Sequence, residues 1–301
     1  MNMYKSDLVI IGAGAAGLSA ALYGVRAGLS VSVIYLDTGA LGRAHLIENY
    51  FGFAEPVSGQ ALLDATKANL HRLGCRFKSG EVVAVNMTDN GFSVTLADGT
   101  TEAGTAVLIA TGRPVSLPPI PGIGAFEGNG VSHCAVCDGF FYRGKQVAVL
   151  GSGAFARAEA AVLQPLAASV TILTNGEAPA SDAFVNAGFA VCTKKITSVL
   201  GSDKLTGIAF ADGSERPLDG LFLANGKAGA LDFAAHLGIL QKDGAIRVDA
   251  SGMTNLPGLF AAGDCLGAPY QVSVSVGRGC VAALGAVAYV RERRQTAAGN
   301  K

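Results

Sequence analysis

The first forty residues contain two apolar runs with a helical pattern between them. Residues 8–11 are all apolar, residues 15–27 are mainly apolar and end at Gly28, and residues 31–36 form the second run. Uninterrupted apolar runs are typical of strands buried on both faces of a parallel sheet, and glycine commonly follows the end of a helix. The pattern therefore predicts a strand, a helix and a second strand.

Polar and apolar residues alternate over residues 92–96, between turn-forming segments at residues 89–91 and 98–99. Alternation with a period of two between such turns predicts a small antiparallel meander. Another apolar run, residues 107–110, predicts a short strand that ends just before a Thr-Gly pair. The N-terminal part of the chain thus combines a parallel unit with an antiparallel one.

The middle of the chain repeats the N-terminal pattern. Four prolines lie within residues 113–124, and because such a segment continues neither a helix nor a central strand, we expect the chain to cross between domains there. Residues 147–150, the turn at 151–156 and residues 170–173 then predict a second strand, glycine turn, helix and strand. This is a second dinucleotide-binding architecture.

From about residue 245 the chain is expected to return to the first domain, with an apolar helix at residues 279–290 before a charged, frayed tail. The predicted fold class is therefore α/β, with two Rossmann-like dinucleotide-binding domains. A central domain, residues 117–244, is inserted into a discontinuous domain made of residues 1–116 and 245–301.

Composition and charge narrow the class of protein. Lys plus Arg and Asp plus Glu number 23 each, so the balance gives no general attraction to nucleic acid. We find no uncharged apolar run of the roughly 20 residues that span a bilayer and expect no membrane partner. Six cysteines are too few for a disulfide scaffold in 301 residues, which favours a reducing, cytoplasmic location.

The spacing of the glycines in the first turn is typical of a dinucleotide-binding motif. Gly12 would form the turn, Gly14 would admit a pyrophosphate and Gly17 would let helix and strand pack closely. Asp37 follows Gly12 by 25 residues, at the end of the second strand, and is a candidate ribose acceptor. The alternatives are a glycine-rich turn without a ligand and, for Asp37, a solvated turn residue.

The closest cysteine pair, Cys134 and Cys137, has the two-residue spacing of a redox-active disulfide. Half a zinc site is the rival interpretation, although only His133 lies near enough in sequence to add a ligand. A c-type haem would need histidine at position 138, where Asp138 stands. That carboxyl group can move the proton that thiol–disulfide exchange requires, or it can be a helix-capping acid.

The segment VSHCAVCDGFFYRGK, residues 131–145, resembles the active-site signature of low-molecular-weight thioredoxin reductases. The glycine turn, the segments at residues 48–53, 110–112 and 262–264, and Gln271 before Gly279 follow in the order of that family. The resemblance covers essentially the whole chain. It implies a homodimer that acts on a thioredoxin-like protein or a small disulfide.

The resemblance also implies roles for individual residues. Residues 1–116 and 245–301 would bind FAD, and the central domain would carry the disulfide and, in ordinary members, bind NADPH. Cys137 would face the flavin as the charge-transfer thiol, and Cys134 would attack the substrate disulfide. The residues expected at FAD are Gly12, Gly14, Ala16, Gly17, Asp37, Asn49, Thr111, Gly112, Gly263, Asp264 and Gln271.

The match fails at the expected 2′-phosphate site. Relatives that use NADPH carry a His-Arg-Arg run and a further arginine there, whereas residues 173–180 of this chain contain no cation and include Glu177. A phosphate would lose its charge-assisted partners and be repelled, so we expect NADPH not to be used. Residues 151–156 keep the glycine turn, which can serve packing alone. Residues 39–43 also depart from the family, which leaves their flavin contacts open.

These departures resemble the divergent, pyridine-nucleotide-independent branch of the family, whose members take electrons from ferredoxin or hold a second flavin. We therefore expect FAD, with a second FAD as a candidate cofactor and ferredoxin as a candidate electron donor. The direction of the reaction stays open, because a dithiol oxidase that passes electrons to oxygen has the same layout. A flavin redox sensor without turnover is the non-enzymatic alternative.

Overall fold

The computed structural model describes residues 4–112, 118–133, 135–179, 188–224 and 229–299, without the side chains of Tyr4, Val136 and Cys137. The strands within these residues are β1 Tyr4–Ile11, β2 Val31–Tyr35, β3 Arg76–Ser79, β4 Val82–Thr88, β5 Gly91–Leu96, β6 Thr101–Ile109, β7 Val131–Ser132, β8 Gln146–Leu150, β9 Ser169–Leu173, β10 Ala190–Cys192, β11 Ile196–Gly201, β12 Leu205–Phe210, β13 Glu215–Pro217, β14 Gly220–Leu223, β15 Gln241–Lys242, β16 Ala245–Ile246 and β17 Leu259–Ala261. The α-helices are α1 Ala15–Arg26, α2 Gly39–Gly42, α3 Gly59–Arg72, α4 Ala135–Asp138, α5 Ala154–Leu163, α6 Ala230–Leu237 and α7 Val272–Gly299, and short 3₁₀ helices lie at Ile123–Phe126, Gly139–Tyr142 and Asp264–Leu266.

The chain divides into two compact units. Unit 1 comprises Met1–Pro114 and Gly229–Lys301, and unit 2 comprises Val115–Ala228. The first boundary lies two residues from the predicted one at 116. The second lies 16 residues before residue 245, because helix α6 packs on β4 and on β16 of unit 1. Sequence pattern alone had assigned that helix to the central domain.

Unit 1 is built on a seven-stranded sheet in the order β3-β2-β1-β6-β5-β4, with β17 also paired to β6. Strand β1 runs parallel to both β2 and β6, whereas β4, β5 and β6 form the predicted antiparallel meander. Strand β1 begins at Tyr4 rather than at residue 8, since Lys5 and Ser6 also pair with β6. The sheet thus places the end of β1 between the ends of β2 and β6.

The core of unit 1 explains why the apolar runs lack alternation. Leu8 and Ile10 on β1, Val33 on β2 and Leu108 on β6 are fully buried, together with the apolar faces of α1 and α7. Burying one such aliphatic side chain is worth about 1.5–3 kcal/mol relative to leaving it exposed. Strands covered on both faces have no polar side to show in the sequence.

Unit 2 repeats the parallel arrangement. Its main sheet has the order β10-β9-β8-β14-β7, and β8 runs parallel to β9 and β14 as β1 does to β2 and β6. A separate antiparallel sheet, β11-β12-β13, completes the unit. The predicted second strand, glycine turn, helix and strand is therefore confirmed at Gln146–Leu173.

The C-terminal helix is longer than predicted. Helix α7 spans Val272–Gly299, where the sequence predicted residues 279–290 and a frayed tail. Arg291 donates to the Ala27 carbonyl at 3.1 Å and Arg294 pairs with Asp7 at 2.6 Å, so the charged end is tied to unit 1. By length and composition its Val272–Ala298 part could cross a membrane, but core helices of soluble proteins meet the same criterion. Ala282 and several of its neighbours on this helix are buried in the core of unit 1.

Candidate functional site

The glycine turn after β1 has the geometry that its spacing predicts. Gly12 has a φ of +113°, and a side chain there would overlap the Ala110 carbonyl. A Cβ at Gly17 would overlap the Gly12 carbonyl oxygen, which explains the close packing of α1 on the turn. By contrast, a Cβ at Gly14 would meet no atom within 4 Å. The turn therefore leaves open space at its second glycine, where a ligand can approach the backbone.

Helix α1 begins at this open position. Gly14 is its N-cap residue, with extended backbone angles and no side-chain cap hydrogen bond in the described structure. The first N–H groups of a helix need partners, and the helix dipole favours an anion there. A pyrophosphate supplies both the acceptors and the charge.

Ala16 lies where three segments of unit 1 meet. A Cβ on Gly263 would lie 2.9 Å from the Ala16 Cβ, and one on Gly279 would overlap the Ala16 carbonyl oxygen. The two glycines therefore let the segment after β17 and helix α7 approach the glycine turn. This packing brings Asp264 next to residues that are about 250 positions earlier in the chain.

Asp264 is held by α7. Its Oδ1 accepts a hydrogen bond from Ser275 Oγ at 2.8 Å. Arg278, one turn further along α7, donates to the Gly263 carbonyl at 3.1 Å and to the Gly267 carbonyl at 2.6 Å. The loop that carries Asp264 is thus fixed from one helix face. Arg278 was not among the predicted site residues.

Thr111 and Gly112 end β6 beside the glycine turn. The Oγ1 atom of Thr111 is buried and has no hydrogen-bond partner among the described residues, which is costly unless a ligand or water supplies one. Gly112 has a φ of +86°, a conformation that favours glycine. The unpaired hydroxyl is the observation in this region that fits a bound polar ligand.

The remaining predicted residues of unit 1 lie at its surface. Asn49 Nδ2 donates to Gln271 Oε1 at 3.1 Å, so two residues 222 positions apart meet at the start of α7. Asp37 is exposed just beyond β2, and its Oδ1 accepts from the Gly39 amide at 2.8 Å. All the predicted cofactor residues therefore belong to unit 1. Residues 39–42 form the short helix α2.

In unit 2, Cys134 and the side chain of Cys137 lie outside the described residues, but their surroundings are described. Asp138 is the last residue of α4, and its Oδ2 accepts from the Ser132 hydroxyl at 2.7 Å. Asp138 also precedes the 3₁₀ helix Gly139–Tyr142 and makes no side-chain cap hydrogen bond to it. This geometry argues against the helix-capping alternative and fits a carboxyl group held for proton transfer.

Sequence reasoning missed a second carboxyl group, which lies beside residues 135–138 of the dithiol segment, defined as residues 134–138. Glu159 on α5 is buried, and its Oε2 accepts from the Ala135 amide at 2.8 Å. The signal was an acidic residue on the helix face that also carries Phe155, Ala156 and Leu163, all of them buried. An acid on an apolar helix face is worth examining, because a buried charge needs hydrogen-bond partners.

The thiols and Tyr142 differ in environment. Burial raises the pKa of Tyr142, and the Asp138 and Asp219 carboxylates raise it further. Burial also raises the pKa of Cys265 to about 12, and its sulfur donates to the Ala262 carbonyl at 3.2 Å. Cys75 and Cys265 are buried in the core, whereas Cys192 and Cys280 are only half-buried.

The second glycine turn keeps its packing but carries an acid. A Cβ on Gly151 would overlap the Ala224 carbonyl oxygen and lie 2.8 Å from the Ala156 Cβ, as tight a fit as at Gly12. The Ser152 hydroxyl donates to Glu177 Oε2 at 2.6 Å, which places a carboxylate over the turn. The side chain of Lys195, in the connection between β10 and β11, also lies near this turn, since a Cβ on Gly176 would be 3.3 Å from the Lys195 Cδ.

Residues 6–279 match the family model described as pyridine nucleotide-disulphide oxidoreductase. The chain is 35% identical over 297 residues to a thioredoxin reductase of Streptomyces coelicolor, covering 93% of this chain and 92% of that protein.

Two solved structures resemble the chain over nearly its full length. The atypical thioredoxin reductase TRi of Desulfovibrio vulgaris Hildenborough is 39% identical, with a TM-score of 0.90 and coverage of 97% and 99% of the two chains. A ferredoxin-flavin thioredoxin reductase of Clostridium acetobutylicum is 30% identical, with a TM-score of 0.70 and coverage of 97% and 100%.

Proposed function

Starting from the fact that the chain belongs to the thioredoxin reductase family and is a flavin disulfide oxidoreductase, we propose that it reduces a disulfide of a thioredoxin-like protein through Cys134 and Cys137 without using NADPH. The proposal that NADPH is not used rests on the carboxylate of Glu177, which lies over the second glycine turn. The proposal joins a site suited to FAD in unit 1 with a pair of cysteines in unit 2.

The residues of unit 1 fit FAD. The open space at Gly14 and the N-terminus of α1 would receive the pyrophosphate, Asp37 the ribose, and the unpaired Thr111 hydroxyl another polar group. Asp264, with Asn49 and Gln271, would contact the ribityl and ring region. When bound, FAD would supply the two-electron redox chemistry that links an electron donor to the cysteine pair.

The exchange with substrate uses the chain's own thiols. The Cys134 thiolate would attack one sulfur of the substrate disulfide, forming a mixed disulfide and releasing the other sulfur as a thiolate. Asp138, held by Ser132, would take the proton that leaves the Cys134 thiol and return it to the departing substrate thiolate. Attack by Cys137 on Cys134 then releases the second substrate thiol and leaves a Cys134–Cys137 disulfide, so the substrate gains the two electrons that the dithiol loses.

A protein substrate is supported by the surface next to the dithiol segment. Phe140 and Phe141, separated from Asp138 by Gly139, are 66% and 69% exposed, and their rings meet edge to face. Adjacent exposed aromatic side chains are typical of protein interfaces. We therefore propose that the substrate is a protein that covers these rings.

The proposal that NADPH is not used rests on the charge at the second glycine turn. A 2′-phosphate normally gains about 1.5–3 kcal/mol from each charge-assisted hydrogen bond, and losing two of them weakens binding by about 10²–10⁴-fold. At the second turn it would instead face Glu177, which is already bonded to Ser152. Lys195 is a cation that could offset this negative charge, because its aliphatic side-chain carbons lie beside Gly176.

Anaerobic mixing with NADPH or NADH tests this part of the proposal. We expect the flavin absorbance of the purified enzyme to stay unchanged at micromolar NADPH. Glu177→Arg is expected to strengthen NADPH binding, whereas the control Ser152→Ala removes the hydrogen bond and keeps the carboxylate. Rapid bleaching of the wild-type flavin by NADPH would reject the proposal.

We propose that electrons enter either directly from a ferredoxin-type protein or by way of a second bound FAD. The similarity to a ferredoxin-flavin thioredoxin reductase supports this choice for the present chain. Denaturing the purified protein and counting released flavins distinguishes the two, since two FAD per chain favours the second flavin. If the enzyme holds one FAD per chain and reduced ferredoxin supports the reduction of insulin or thioredoxin, ferredoxin is favoured as the donor. Release of peroxide when a dithiol substrate is added would contradict the proposed direction of the reaction.

A further inference from the structure

A buried carboxylate accepts a hydrogen bond from the backbone amide of the residue that follows Cys134 in the sequence. Glu159 is 2% exposed, and its Oε2 accepts from the Ala135 amide at 2.8 Å. Ala135 is itself fully buried, and its nitrogen is bonded to the carbonyl carbon of Cys134. This hydrogen bond to the backbone amide places the Glu159 carboxylate at Ala135, the first residue of the four-residue helix α4.

Packing on both sides of Glu159 keeps the carboxylate in place. Helix α5 buries Phe155 and Leu163 on the face that carries Glu159. At the other end of the dithiol segment, a Cβ on Gly139 would lie 3.2 Å from both Leu163 Cδ2 and Leu166 Cδ1. The segment therefore lies close against α5 beyond Asp138 as well as at Ala135.

The bond has an electrostatic consequence for the thiols. A hydrogen bond to a thiolate stabilises its charged form and lowers the pKa of the cysteine. The Ala135 N–H donates to Glu159 and is therefore not available for such a bond. A buried negative charge also repels a second negative charge nearby, because the local dielectric constant is low.

We propose that Glu159 is a positioning residue for the dithiol: it anchors the amide that follows Cys134, and its charge opposes thiolate formation there. The inference rests on the proposed role of Cys134 as the attacking thiol. Its result is a reduced pair that stays protonated, and hence slow to react with chance oxidants, until a bound substrate and Asp138 allow proton transfer.

The other charged or titratable groups of the surrounding elements differ from Glu159 in position. Asp138 is bonded to Ser132, and His133 pairs with Glu127 at 2.7 Å at an exposed position. The groups on the flanking elements are Arg157 on α5 and Tyr142 on the following 3₁₀ helix. Glu159 is the one among them that bonds the amide after Cys134.

Glu159→Gln tests the charge with little change of shape, because the amide oxygen can still accept from Ala135. In the purified holoenzyme, reduced chemically, iodoacetamide labelling of Cys134 would be followed against pH by peptide mass spectrometry. We expect the variant to label about tenfold or more faster than wild type near pH 7, with the midpoint shifted to lower pH. Glu159→Asp should restore part of the wild-type profile if its shorter carboxylate still reaches the amide.

Leu163→Ala is the packing control. It removes a buried side chain beneath the same segment and should lower thermal stability without lowering the labelling midpoint. Coincident profiles for wild type and Glu159→Gln would overturn the proposal. Should the variant not fold, wild-type Cys134 decides: a midpoint above the usual thiol pKa of about 8.5 supports the proposal, and one at or below it does not. Labelling needs neither FAD reduction nor substrate, so this outcome is separate from that of the proposed function.

Discussion

Replacing Gly14 by alanine separates cofactor binding from folding. Gly14 has φ −82° and ψ −169°, extended angles that alanine adopts freely, and the added Cβ would meet no protein atom within 4 Å. Substitutions without strain or collision usually change stability by no more than about 0.5 kcal/mol. We therefore expect the apoprotein of Gly14→Ala to unfold at nearly the wild-type temperature.

The cost should appear when FAD binds. If the pyrophosphate approaches the backbone at Gly14, a methyl group there pushes it away from the amides at the start of α1. Each charge-assisted hydrogen bond lost is worth about 1.5–3 kcal/mol, which corresponds to about 10- to 150-fold in the dissociation constant. Gly17→Ala is the matched contrast, because its Cβ overlaps the Gly12 carbonyl and should reduce stability by about 1–3 kcal/mol.

Thermal unfolding of the apoproteins and FAD titration by flavin fluorescence measure the two effects. The expected pattern is normal stability with weak FAD binding for Gly14→Ala, and low stability for Gly17→Ala. Wild-type FAD affinity in Gly14→Ala would refute the assignment of the pyrophosphate to this turn. A large loss of stability in that variant would refute the geometric argument instead.

Three further outcomes are expected. Ser132→Ala removes the donor to Asp138 and should lower disulfide turnover about tenfold and shift its pH profile, whereas Ser132→Thr keeps the donor and should restore activity. Replacing Phe140 and Phe141 by alanine should raise KM for a protein disulfide while leaving a small aromatic disulfide unaffected; equal effects on both would argue against a protein-binding surface. Because burial raises the pKa of Cys265 from 9.0 to about 12, its contribution to stability is complete below pH 9 and lost as the pH rises toward 12, so Cys265→Ala should flatten the decline of unfolding temperature over that range.

The sequence predicted those parts of the fold that depend on local pattern. The turn from Gly12 to Gly17 and the helix that follows are set by residues adjacent in the chain, and the structure has them where they were expected. The same holds for Gly151 and the second parallel unit. Local spacing suffices because each strand and helix is apolar on the faces that it buries.

Features that depend on distant contacts could not be found this way. The boundary at Gly229 follows from the packing of α6 on unit 1, and the full length of α7 follows from pairs such as Arg294 with Asp7. Glu159 was missed because its partner is a backbone amide 24 residues away, and no side-chain pattern marks such a bond. Asn49 and Gln271 were predicted from family resemblance, but their mutual hydrogen bond comes from the fold.

The two units show why the fold is easier to predict than the electron donor. Gly12 and Gly151 both lie against a carbonyl at the end of a neighbouring parallel strand, and an acid follows each glycine, Asp37 after 25 residues and Glu177 after 26. The contacts that hold each turn together are thus made by glycines and by the backbone. The groups that would select a nucleotide lie at exposed positions, Asp37 beyond β2 and Glu177 beyond β9. Since changing those groups costs the fold little, a chain can keep both Rossmann-like sheets while losing the charges that bind one cofactor, and the donor must be tested at Glu177 and Lys195.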